Sequence, residues 1–108
     1  KESYLAIAPD GKTVIANAVV AADTANECAE VAIAMHREYK GKGVGWTLLK
    51  YIAEQEKRKG VKKLQSIEFR ENHEAIGLER EMGFKASSYP GDGSLVLLEF
   101  DLTMSKSC

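Results

Sequence analysis

The sequence has little with which to staple a fold, span a bilayer or hold a polyanion. Cysteine occurs twice among 108 residues, at Cys28 and Cys108. The two lack metal-ligand spacing; one lies in an apolar stretch and the other is the last residue, so a structural disulfide is not expected. That usage points to a reducing, cytoplasmic setting. No apolar run approaches the roughly 18 residues that a membrane span requires, and no signal-peptide pattern is present. A surplus of positive charge is also missing: 15 Lys+Arg stand against 16 Asp+Glu, a net charge of −1. Phosphate neutralisation needs such a surplus, so a dedicated nucleic-acid binder is excluded. Internal repeats and low-complexity linkers are absent too.

What remains is a single domain's worth of globular chain. Hydrophobic residues make up 44% and charged residues 29%, which excludes disorder and coiled coil. A chain of this size buries about 65% of its unfolded surface, enough for a core without cross-links. The first residue is Lys1 rather than Met, and the expectation is an excerpt of a longer protein. We expect one domain over residues 1–102 and a frayed tail over 103–108.

The first third reads as strands. Tyr4, Ala6 and Ala8 alternate up to Pro9-Asp10-Gly11-Lys12, where Asp-Gly signals a hairpin. Thr13 to Ala22 is β-branched and apolar, and Asp23 to Asn26 forms a second turn. Cys28 to His36 is nearly continuous in apolar residues, which predicts a central strand covered on both faces. After the break Lys40-Gly41-Lys42-Gly43-Val44-Gly45, the residues Gly45, Leu48, Leu49, Ile52 and Ala53 fall at helical spacing. Gly60 ends that helix. Val61 to Phe69 is a strand. Asn72 caps a second helix with Ala75, Leu78 and Met82 along its buried stripe, ending at Gly83. Lys85 to Ser88 and Leu95 to Asp101 close the domain. The order is β-β-β-α-β-α-β-β, a mixed α/β fold around a mostly antiparallel sheet.

The glycine break is the chemically richest segment. A strand, then glycines, then a helix start brings free backbone N–H groups and the positive end of the helix dipole together, a setting suited to phosphate. Glycine at 41, 43 and 45 permits close backbone approach, and Lys40 and Lys42 add charge. The spacing fits neither a P-loop nor a dinucleotide fingerprint, because Gly-x-Gly-x-Gly follows three antiparallel strands. A tight turn without a ligand is the bland alternative, but each glycine costs a helix start about 1 kcal/mol relative to alanine.

These residues resemble the signature of the GNAT superfamily of acetyl-CoA-dependent N-acyltransferases, Gln/Arg-x-x-Gly-x-Gly/Ala, with Lys40 in place of Gln/Arg. A second block, Asn72, Ala75, Leu78, Gly83 and Phe84, is similar to the family's Asn-x-x-Ala-x-x-Leu-Tyr-x-x-x-Gly-Phe. The likeness covers residues 3 to 102 and implies a GNAT-like sheet lacking the usual N-terminal strand and two helices. It further implies acetyl-CoA as co-substrate. Backbone groups of Ile33 and Met35 would pair with its pantetheine arm as an added strand does. Amides of Lys40, Gly41, Lys42, Gly43, Val44, Gly45 and Trp46 would hold its pyrophosphate, and Asn72 would bind near the pantetheine. Trp46 is otherwise read as core, and Asn72 as a plain cap.

The resemblance implies acetyl transfer to an amine, with a protein lysine as one candidate acceptor. The wording Ala29-Glu30-Val31-Ala32 is similar to bacterial protein-lysine acetyltransferases, which makes Glu30 the candidate general base, its pKa raised if buried. His36, at the same strand parity, is a candidate relay. At position 79 many relatives carry a tyrosine that protonates the leaving thiolate; Glu79 stands there instead, and of two readings, a substitute acid or a surface residue of the second helix, the surface one is favoured. The rival function is a catalytically silent acetyl-CoA sensor within a larger enzyme. The missing N-terminal elements imply an acceptor side that is thinned, supplied by another segment of a larger chain, or completed by a partner subunit, as in a homodimer.

Overall fold

The computed structural model of the chain describes residues 1–39, 41 and 43–103. Its elements run β1 (Glu2–Ile7), β2 (Val14–Ala22), β3 (Cys28–Met35), α1 (Val44–Arg58), β4 (Lys63–Phe69), α2 (His73–Met82), β5 (Lys85–Tyr89) and β6 (Asp92–Asp101). A single 3-10 turn lies at Arg37–Tyr39. The order matches the one read from the sequence. Its edges differ slightly: β3 stops at Met35 and leaves His36 outside, and β6 reaches back to Asp92. Lys40, Lys42 and the tail 104–108 lie outside the described residues.

The six strands form one sheet in the order β1-β2-β3-β4-β6-β5. All neighbours are antiparallel except β3 and β4, which are parallel and joined through α1. Short polar devices set the turns. Asp10 accepts from the amides of Lys12 and Thr13 at 2.8 and 2.9 Å, closing the β1–β2 hairpin. Asn26 takes a left-handed φ of 58° in the next turn, a conformation its short polar side chain tolerates.

Both helices pack on one face of the sheet. Ala16, Ala18 and Val20 of β2, Ala29 and Val31 of β3, Leu64 of β4 and Leu98 of β6 share a core with Leu48, Leu49, Ile52 and Ala53 of α1. Ile76 and Met82 of α2 lie against the same cluster. The opposite face carries Glu30, Ala32 and Ala34 of β3, all exposed. β3 is therefore central but covered on one side only. Its unbroken hydropathy misled because the outward positions are alanines, apolar in composition yet small enough to sit in water at little cost.

Helix boundaries follow from their caps. α1 ends at Lys59, followed by Gly60 at φ 93°. α2 starts at Asn72, whose Oδ1 accepts the Ala75 N–H at 3.4 Å, and ends at Gly83 at φ 113°. A Cβ at Gly83 would fall 2.9 Å from the Phe100 ring, which itself stacks on Phe84 at 5.1 Å between centroids. One buried charge ties β1 to α1: Glu56, 2% exposed, accepts from the Tyr4 hydroxyl at 3.0 Å and from Lys59 at 3.2 Å. Lys59 also pairs with Glu2. Burial and the Glu56 carboxylate push the Tyr4 hydroxyl up to about 12. Among the described residues, no helix is long and apolar enough to cross a membrane.

Candidate functional site

The parallel ladder between β3 and β4 has only three rungs: Cys28–Lys63, Ala29–Leu64 and Glu30–Gln65. Past Glu30 the strands part company. β3 stays on β2 as far as Met35, while β4 stays on β6 as far as Phe69. Each strand keeps its antiparallel neighbour, and the sheet twist carries the two pairs apart. The edge of β3 facing the gap thus has no ladder from Val31 onward. The gap opens into a cavity of about 610 Å³. Ile33, Ala34 and Met35 form one wall and Glu68 the other, with the start of α1 at one end and α2 along the side.

The glycine segment forms the mouth of this cavity. Gly41 and Gly43 have φ of 80° and 81°, values that favour glycine. Gly43 is the N-cap of α1 and supplies no side-chain hydrogen bond to the first-turn amides. Those amides stay available for an anion, and the helix dipole acts in the same direction. Gly45 serves a different purpose. A Cβ there would lie 2.8 Å from Met35 Cε and 3.1 Å from Leu78 Cδ2, so its absence lets α1 begin close against β3 and α2. Val44 is half-buried against the core.

Ile33, Met35, Gly41, Gly43, Gly45, Trp46 and Asn72 all line the cavity; the structure brings these sequence-predicted cofactor residues together. Trp46 is not a core residue: it is 38% exposed, with Lys50 Nζ 5.5 Å from its ring centroid. Its place in the first turn of α1 turns it outward beside the mouth. Asn72 caps α2 and also donates to Glu68 Oε1 at 3.2 Å, so capping and cavity lining coexist.

Glu30 is not part of the cavity wall. It sits on the open face, exposed, opposite Ala21 and Gln65. The burial expected of it is absent. Its position is nevertheless particular, because it is the last paired residue before the strands diverge. His36 is exposed beyond the strand end, with Nδ1 accepting the Glu38 N–H at 3.3 Å and the ring edge-on to Tyr39 at 6.1 Å. The relay position expected for it on the strand is therefore not formed. The basic residues after α1 are exposed. Lys62 pairs with Glu27 at 3.6 Å and Lys63 with Glu99 at 3.3 Å.

Glu79 departs most from expectation. It is a cavity-lining residue only 5% exposed, not a surface side chain. Its Oε2 lies 3.0 Å from Ser66 Oγ, which is also 2.9 Å from Glu68 Oε2. Burial, aided by the neighbouring Glu68 carboxylate, pushes Glu79 up to about 8. The polar letter at a helix position hid this, although Ala75, Leu78, Glu79 and Met82 share one helical face.

The arrangement suits an elongated ligand. Its extended part would run along the unpaired edge of β3, and its anionic part would meet the uncapped turn of α1. The acetyltransferase (GNAT) family profile matches residues 1–84. Solved structures agree. A candidate phosphinothricin N-acetyltransferase superposes with a TM-score of 0.80 at 28% identity, over 94% of this chain and 68% of that one. The GNAT domain of S. lividans PAT gives 0.75 at 25% identity, over 84% of this chain and 56% of that one. A candidate acetyltransferase from Salmonella typhimurium, solved with its cofactor acetyl-CoA, shares the fold at 19% identity with a TM-score of 0.74. This chain covers 90% of its own length in that match and 63% of the Salmonella protein's, so it spans less than two thirds of the latter two. A profile match across most of the chain and the parted strands at its centre lead to one assignment: the chain belongs to the GNAT acetyltransferase family.

Proposed function

We propose that this domain binds acetyl-CoA in the wedge between β3 and β4 and transfers its acetyl group to an amine, with a protein lysine as the acceptor. The observation that carries the reading is the ladder that stops at Glu30–Gln65 beside an uncapped helix start. The pantetheine arm would take the place of the missing strand pairing along Ile33 and Met35. The turn at Gly41 and Gly43 and the first amides of α1, through Trp46, would hold the pyrophosphate, with Lys40 and Lys42 adding charge. Asn72 would border the pantetheine. The setting is a cytoplasmic one.

The chemistry has three needs: a neutral amine, a stabilised oxyanion and a departing thiolate. A lysine amine of pKa ~10.4 is only about 0.04% neutral at pH 7. Glu30 stands at the apex of the split, on the face open to an incoming acceptor, and there accepts the proton of the attacking amine. A backbone N–H of the segment 31–35 faces the developing oxyanion.

Calorimetric titration with acetyl-CoA, followed by thiol-release assays with lysine peptides and small amines, tests the proposal. Native chain is expected to bind and turn over. Glu30→Gln is expected to keep its acetyl-CoA affinity and lose about 10²–10⁴-fold in kcat. No acetyl-CoA binding would refute the reading. Binding without turnover would instead establish a silent sensor.

A further inference from the structure

Ser66 and Glu79 are among the few polar side chains buried in this fold, at 1% and 5% exposure. Glu79 and Glu68 line the wedge, and Ser66 joins them in a chain of three. Ser66 Oγ is 3.0 Å from Glu79 Oε2 and 2.9 Å from Glu68 Oε2. A hydroxyl carries one proton, so it can donate to one carboxylate only. The second contact needs a proton on the other carboxyl. Glu68 is the better-supported anion, because it is only half-buried and its Oε1 accepts from Asn72 at 3.2 Å. Glu79 has no such support. Its Oε1 is buried and has no hydrogen-bond partner among the described residues. A charge there would go unsolvated, whereas a neutral carboxyl is tolerated. At rest, the Glu79 proton on Oε2 closes the chain to Ser66, and Ser66 donates to Glu68. Carried on Oε1, the same proton is free of Ser66, and Glu79 lines the wedge in which a ligand would sit.

We propose that the carboxyl of Glu79 is the acid of the acyl-transfer step, held neutral against Glu68 across Ser66 and giving its proton to the sulfur that leaves a thioester seated in the wedge. The inference rests on the acetyltransferase reading above. As the amine nitrogen bonds to the acyl carbon and the C–S bond breaks, sulfur departs with the bonding pair. The Glu79 O–H bond breaks, its proton joins the sulfur, and its electron pair stays on the carboxylate. The amine's proton goes to Glu30. Ser66 then donates to the newly charged Glu79, and solvent restores the proton through the open mouth. The groups around Glu79 fit a neutral resting state. β3 and α1 present Ile33, Ala34, Met35, Gly45 and Trp46, β4 presents Glu68, and α2 itself carries His73, Glu74 and Glu81 into the lining. Among the described lining residues none is a lysine or arginine.

The test pairs a titration with kinetics. In the unliganded chain carrying ¹³C-carboxyl glutamate, one carboxyl resonance is expected to titrate near pH 8 and to vanish in Glu79→Gln. Ser66→Ala should shift that titration. In turnover, native kcat should fall above about pH 8. Glu79→Gln should keep acetyl-CoA affinity within threefold, lose 10-fold or more in kcat, and show no such fall. If Glu79→Gln fails to fold, Ser66→Ala carries the kinetic comparison and should displace the limb. A native chain in which no glutamate titrates above pH 7, or a Glu79→Gln variant with native kcat and pH profile, would overturn the proposal alone. Failure of native chain to bind acetyl-CoA would overturn the acetyltransferase reading and this proposal with it.

Discussion

A carboxyl at 5% exposure beside a second carboxyl holds its proton well into the neutral range, and that binding is linked to stability. Glu79 is pushed up to about 8 in the folded chain, first by burial and then by Glu68. In an unfolded chain a glutamate titrates near ~4.3. Between these values the folded state keeps a proton that the unfolded state has lost. Stability from this group is therefore fully present below about pH 4.5 and declines as pH rises towards 8. Glu79→Gln removes that dependence. Urea unfolding at pH 5, 6.5 and 8 should show the variant gaining on native chain by roughly 1–3 kcal/mol from the lowest to the highest pH. A stability difference that stays constant across the series would show that Glu79 is ionised in the fold. The same residue shows where the sequence is opaque. Position 79 reads as polar and hence solvated, and only the three-dimensional approach of Ser66 and Glu68 reveals a buried, proton-holding carboxyl.

Among the elements, both helices had starts and finishes that were legible. Glycine spacing demands backbone conformations that a string of letters records directly, and Gly41, Gly43 and Gly60 all have left-handed φ in the structure. Helical periodicity likewise placed Leu48, Leu49, Ile52 and Ala53 in the core. The parting of β3 from β4 leaves no local mark, because it follows from which neighbours the two strands retain and how the sheet twists. The sequence reading touched it only indirectly, through the pantetheine pairing along Ile33 and Met35 that the family resemblance implied. The single-sided cover of β3 was hidden for a related reason: alternation fades when the outward residues are alanines. The glycine cap makes a measurable claim. Gly43 sits at φ 81° with nothing within 4 Å of the point where a Cβ would stand, so Gly43→Ala costs backbone strain and not a clash. Thermal unfolding should show a loss of about 1–2 kcal/mol. Acetyl-CoA affinity should fall as well, because relaxing the strain turns the α1 amides away from the mouth. A variant of native stability and affinity would mean that the left-handed turn is not part of the site.

At the scale of the whole molecule, the sheet has one face under two helices and one face open. Leu98 points into the core at 0% exposure, whereas Leu5 and Phe69 on the open side are 57% and 67% exposed. Truncating a buried leucine loses its transfer free energy and leaves a cavity, so Leu98→Ala should cost about 2–5 kcal/mol. Leu5→Ala and Phe69→Ala remove side chains already largely in water, and each should change stability by no more than about 0.5 kcal/mol. Denaturant unfolding of the three variants at low and high protein concentration separates two states of the open face. Small, concentration-independent effects at Leu5 and Phe69 mean that the face is solvated in the isolated domain, and that α1 and α2 alone supply the cover that holds the wedge. A cost at Phe69 rivalling that at Leu98, and growing with concentration, would mean that the face is buried between copies. Glu30 lies on this same face, so burial there would close the side from which an acceptor amine reaches the apex of the split.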